Sequence, residues 1–170
     1  MKRTLTIPIL IALLLPLGLF AQVTDQASAS VDAVVQQALD IELEAGTSVD
    51  FGIVSIGQVP VLDPKEASHQ NVAGTVDVAE FNITGSQGTN FTLTYSNATL
   101  TDGTNNLTFT PDVEGHESTQ GNATDWASGG PARTLGSGSP NYKLWVGGSL
   151  SSPTVAATYT GTFTITVDYN

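Results

Sequence analysis

From Tyr159 to Tyr169 the chain alternates with a period of two. Tyr159, Phe163, Ile165, Val167 and Tyr169 occupy odd positions, with Gly161 the exception, and Thr or Asp fills the even ones. Successive side chains on a strand point to opposite faces, so this pattern fits a strand with one buried face and one wet face. Thr suits the solvated side of a pleated surface. The same period marks the other end of the chain. Ala27, Ala29, Val31, Ala33 and Val35 alternate with mostly polar residues, and Leu39, Ile41 and Leu43 follow. Val34 to Leu39 would also serve as a helical turn, but the alternation outlasts any 3.6-residue pattern.

Between these ends lie further short strands. Val49 to Val54 and Phe91 to Tyr95 read as strands, and Gly57 to Gly74 as a long connection. Val76 and Val78 differ in parity from Phe81 and Ile83, which predicts a bulge near Ala79-Glu80. Asp102-Gly103 marks a tight turn between Leu100 and Leu107. Residues Pro111 to Pro140 are long for a structureless loop and predict a short strand or hairpin around Trp126. Tyr142 to Gly148 and Ser149 to Val155 read as a strand pair. No helical stripe is sustained and no repeat is visible. The prediction is all-β: an immunoglobulin-like antiparallel β-sandwich of about seven strands. A small membrane barrel would need about eight long alternating strands, and too few are present.

The chain starts with an address. Met1-Lys2-Arg3 is basic, Leu5 to Phe20 is almost wholly apolar, and Ala21 is a small residue at the expected cut. The apolar run contains Pro8 and Pro16 and falls short of the ~20 residues of a spanning helix. Residues 1–21 are therefore expected to be a signal peptide. Its removal leaves 149 of the 170 residues and takes the formal charge from −11 to −13, because Lys2 and Arg3 go with it. The rest of the chain has no apolar run for a membrane span. It divides into an N-terminal alternating strand, 22–36, and one domain, 37–170. The expected destination is the periplasm in transit, then the cell surface or an extracellular fimbrium.

Composition excludes several functions. There is no cysteine, so there is no disulfide framework, Cys-based zinc site or thiol nucleophile. The acidic balance argues against nucleic acid and against an anionic bilayer, both of which are held by Lys and Arg. His69 and His116 are the only histidines. The run from Asp112 to Glu117 holds acids and one His, but no HExxH or GxSxG pattern supplies the partners that catalysis or zinc needs. Asp102 to Asn106 is similar to the start of a calcium loop but lacks the closing acid. Five Asn-x-Thr triplets, at Asn82, Asn90, Asn97, Asn106 and Asn122, follow from a Thr-rich composition. The expectation is no catalytic residues, no metal, no cofactor and no enzyme.

Three pieces resemble secreted β-sandwich fimbrial subunits. They are Ala27 to Val35 leading into Leu39 to Leu43, the Val49-Asp50-Phe51-Gly52-Ile53-Val54-Ser55 stretch, and the Tyr159 to Tyr169 ending. The chain is most similar to a family known as a domain of unknown function, near the spore coat protein U-like pilins. It lacks the cysteine pair many of those carry, and it ends one residue later, at Asn170. The resemblance implies a structural subunit of a surface fimbria, assembled by β-strand addition between copies or related subunits. It implies donor side chains at Ala27, Ala29, Val31, Ala33 and Val35. It implies that Phe163, Ile165, Val167 and Tyr169 contact a periplasmic chaperone or the next subunit, with an outer-membrane platform as a further partner. The alternative is a monomeric secreted binding module for a glycan or surface component, with ligand stacking on Trp126, Tyr142 and Trp145.

Overall fold

A computed structural model describes residue 30 and residues 32–170. The expected signal peptide lies outside the described residues. The architecture is all-β, with two antiparallel sheets and, among the described residues, one 3-10 turn at Gln120–Asn122. The larger sheet runs β1 (Asp40–Leu43), β3 (Ala79–Thr84), β9 (Tyr142–Leu150), β6 (Asn106–His116) and β5 (Ala98–Thr101). Two short strands extend it: β2 (Val61–Leu62) on β9 and β7 (Thr124–Asp125) on β6. The smaller sheet runs β10 (Ile165–Tyr169), β4 (Asn90–Tyr95) and β8 (Arg133–Thr134).

Alternation builds the core. Phe91 and Leu93 on β4, Leu107, Phe109 and Val113 on β6, and Tyr142, Leu144 and Val146 on β9 are all buried. The sheets meet through aromatic edges. Phe91 sits 5.1 Å from Trp126 and 5.4 Å from Tyr142, ring to ring, and Phe109 sits 5.7 Å from Phe163. Such T-shaped pairs add to the stabilisation that burial gives.

Several expectations are corrected. Val49 to Val54 is no strand; it makes only isolated bridges, Asp50 to Asp77 and Gly52 and Ile53 to Ala73. Gly52 has φ of +58°, and a Cβ there would lie 2.5 Å from the Ala73 carbonyl oxygen, so the backbone turns away from a ladder. No bulge occurs at Ala79-Glu80, which pair in register with Val146 and Trp145. The parity change falls one residue earlier, where Val78 and Ala79 are both buried. Gly147-Gly148 does not break a strand pair. Both lie inside β9, because β2 and β6 approach there: a Cβ on Gly147 would collide with the Leu62 carbonyl, and one on Gly148 with the Thr110 carbonyl. The 111–140 region supplies the end of β6, then β7 just before Trp126, then β8. Asp102-Gly103 does form a hairpin turn, in a loop closed by Thr101 opposite Asn106.

Candidate functional site

The site is a wedge between two unpaired strand edges. β1 bonds only to β3, and β10 only to β4 among the described strands. The backbone can be followed residue by residue. Asn170 N–H donates to Asn90 O (3.0 Å), and Tyr169 stands opposite Phe91. In an antiparallel ladder, alternate residues exchange bonds with the partner and the others point away. Thr166 and Asp168 therefore bond to β4, while Ile165, Val167 and Tyr169 turn their N–H and C=O groups to the open edge. On β1, Glu44 N–H donates to Glu80 O (2.7 Å) and Leu43 stands opposite Phe81. Ile41 and Leu43 thus face the gap in the same way.

The same residues carry the apolar face. Ile165, Val167 and Tyr169 are only half-buried, whereas Phe91 and Leu93 beside them on β4 are fully covered. Ile41 is half-buried and Leu43 is 52% exposed. The hydrophobic interior is thus incompletely roofed along this line.

The wedge is closed at one end and open at the other. At the closed end the Tyr169 hydroxyl donates to Gln37 O (2.8 Å) and accepts from Ser86 N–H (2.7 Å). At the open end, Leu43 and Phe163 line a cleft of about 370 Å³ together with Phe81, Leu100, Phe109 and Tyr159. A second cleft of about 290 Å³ adjoins it and shares Val49, Phe51, Leu100 and Tyr159. Phe163 fixes the crossing between the sheets, with its ring 5.7 Å from Phe109 and 6.0 Å from Tyr95. Burial pushes the Tyr95 phenol above its ordinary pKa.

The structure gathers Phe163, Ile165, Val167 and Tyr169 along one edge. Of the expected donor residues, Ala27, Ala29 and Val31 lie outside the described residues. Ala33 and Val35 are exposed, Val35 at 92%, and belong to no strand. The stacking residues are corrected: Trp126, Tyr142 and Trp145 are 1%, 4% and 3% exposed. Trp126 and Tyr142 pack on Phe91 and on each other, and Arg133 covers the Trp126 ring at 5.0 Å. Trp145 lies on the opposite face of β9 and donates from Nε1 to Glu80 Oε2 (3.0 Å), with Lys143 paired to the same carboxylate. No ring face is left for a ligand.

The polar constellations have local jobs. His69 Nδ1 accepts from Asp63 N–H (3.1 Å), and His116 Nδ1 accepts from Ser118 and Thr119 N–H (3.1 and 3.2 Å). Asp102 Oδ1 accepts from the N–H groups of Thr104 and Asn105 (2.8 and 2.6 Å), which shapes the hairpin turn. The Asp112 side chain stays exposed to solvent, and its carboxyl is raised from its ordinary value first by partial desolvation and then by the charges of Asp125, Glu114 and Asp63.

Sequence reasoning missed the β1 edge as half of the site, although Leu39, Ile41 and Leu43 continue the alternation that signals it. It also missed the Tyr169 hydroxyl contacts, which depend on tertiary structure.

The family model "Domain of unknown function (DUF4402)" matches residues 41–169, and the chain belongs to this family. No curated protein and no solved structure matches the chain significantly.

Proposed function

We propose that this DUF4402 member is an exported, non-enzymatic structural subunit of a surface fimbria or filament. Residues 22–36 of one copy add as a strand to the β1–β10 wedge of the next. The observation that carries this reading is the pair of facing edges, where Ile41, Leu43, Ile165, Val167 and Tyr169 combine open backbone groups with half-covered apolar side chains. A strand placed there gains affinity from the backbone and register from alternate side chains. Unpaired edges are otherwise a liability that proteins cover or blunt.

Length supports the reading. Extended, residues 22–36 reach about 50 Å, against about 23 Å for the edge from Phe163 to Tyr169. The segment therefore spans the wedge with chain to spare before its own domain begins. A contact in which one patch meets a different patch on the next copy propagates into an open filament. A periplasmic chaperone pairing with β10 before assembly, and an outer-membrane platform, belong to the same proposal. The ligand-binding alternative loses its stacking residues to the core.

Light scattering on size-fractionated protein, with a thermal melt, tests this by comparing residues 22–170 with residues 37–170. Ladders from the longer protein, and a shorter monomer that gains stability from an added 22–36 peptide, support strand addition. A longer protein that stays monomeric at high concentration, and is no different in stability from the shorter one, contradicts it.

A further inference from the structure

The two ends of the wedge are built differently. At the closed end, three chain segments meet on one phenol. Tyr169 Oη bonds the Gln37 carbonyl ahead of β1 and the Ser86 N–H in the β3–β4 connection, while Gln37 N–H donates to Ser86 Oγ (2.7 Å). Gly85 makes room for this junction. A Cβ there would lie 2.5 Å from the Tyr169 hydroxyl and 3.2 Å from Leu39 Cδ1. The Gly85 N–H is itself tied to Asn141 Oδ1 (2.8 Å). At the open end, the described hydrogen bonds include none that joins Leu43 to the 159–163 crossing; the two are separated by the apolar cleft.

We infer that Tyr169 is a latch that holds the β1 and β10 edges together at their Gln37 end. A strand from a second copy therefore enters at the Leu43–Phe163 mouth and advances toward Tyr169. Complete insertion breaks the Tyr169–Gln37 bond and parts the two edges. The inference rests on the strand-addition reading above, with residues 22–36 of another copy as the occupant. Its physical basis is asymmetry. The Tyr169–Gln37 bond, on a hydroxyl that Ser86 N–H also holds in place, must be exchanged at the closed end, whereas the mouth already exposes Leu43 and offers apolar wall.

The test uses the full chain, held at concentrations where it is monomeric. Tyr169→Phe keeps the ring and removes both bonds. Ser86→Ala weakens the same junction without touching β10, so it serves if Tyr169→Phe folds poorly. Amide hydrogen exchange is read first, without any partner. The latch predicts roughly tenfold faster exchange at Asp40, Glu42, Thr166 and Asp168, the edge-strand amides bonded to β3 and β4 in the monomer, and little change in β6 and β9. Uptake of a fluorescent 22–36 peptide is read second. It is expected to be several-fold faster in Tyr169→Phe, and slower in Leu43→Ser, which alters the mouth. Unchanged exchange in both strands overturns the latch. Uptake at one rate by parent and Tyr169→Phe overturns it too, while leaving strand addition standing. Uptake by neither protein overturns the strand-addition reading and the latch's role with it.

Discussion

Replacing Phe163 with Ala tests whether the 159–163 crossing is held down by this ring. Phe163 lies between Phe109 of the larger sheet and Tyr95 of the smaller one, at 5.7 and 6.0 Å. It is half-buried. A Phe side chain covers about 200 Å², so about half of that, or about 100 Å², leaves the interior on truncation. At about 25 cal/mol/Å² this costs about 2.5 kcal/mol. That is below the roughly 3–5 kcal/mol of an enclosed Phe→Ala change, because the space left joins a cleft already open to water. In a domain of this size the melting temperature should fall by about 8 °C. Urea unfolding followed by the fluorescence of Trp126 and Trp145 measures the change directly, with an unchanged denaturant slope as the check on two-state behaviour. Phe163→Leu should recover about half of the loss. A loss below about 0.5 kcal/mol would refute the reasoning, since the ring would then contribute no net burial.

Two further predictions follow from backbone approach and from charge. Gly147→Ala should cost about 1–3 kcal/mol, because its Cβ meets the backbone of Leu62 and of Pro64 (3.0 Å from the latter's nitrogen), and neither can rotate away; urea melts measure it. Asp112→Asn should raise the melting temperature at pH 7 and bring no gain at pH 3. Partial desolvation of this solvent-exposed side chain, then the charges of Asp125, Glu114 and Asp63, raise the folded carboxyl above its ordinary 3.8, while Lys65 opposes them. The folded state thus binds this proton more tightly than the unfolded state. The contribution to stability is full below the unfolded value and is lost as pH rises through the raised one. Melts of parent and variant across pH 3–7 read the crossover.

The strands that alternate over a long run were legible, and the interrupted ones were not. Phe91 to Tyr95 and the Ile165 to Tyr169 ending show their buried faces directly, and the class of fold follows from them. Val49 to Val54 misleads because its composition is strand-like, while Gly52 takes a positive φ that the residue type permits but does not announce. Gly147-Gly148 misleads in the opposite sense. It looks like a turn, yet it sits inside a nine-residue strand where neighbouring backbones come close. Trp126, Tyr142 and Trp145 suggest ligand stacking in the sequence because aromatic residues suit both cores and ligands, and only packing distinguishes the two. Half of the candidate site was visible in the alternation of β10. The other half, the β1 edge, needed the topology that sets it across the gap.

The central claim is that the β1–β10 wedge takes a strand from another copy. Residue-resolved amide exchange tests it most directly, first on dilute monomer and then after assembly at high concentration. In the monomer, Thr166 and Asp168 should be protected while Ile165 and Val167 exchange fast, and Ile41 and Leu43 should behave like Ile165. On assembly, Ile41, Leu43, Ile165 and Val167 should become protected together, with residues 27–35 slowing in alternation. Assembly that leaves these four amides fast, or a dilute monomer in which they are already slow, would contradict the account.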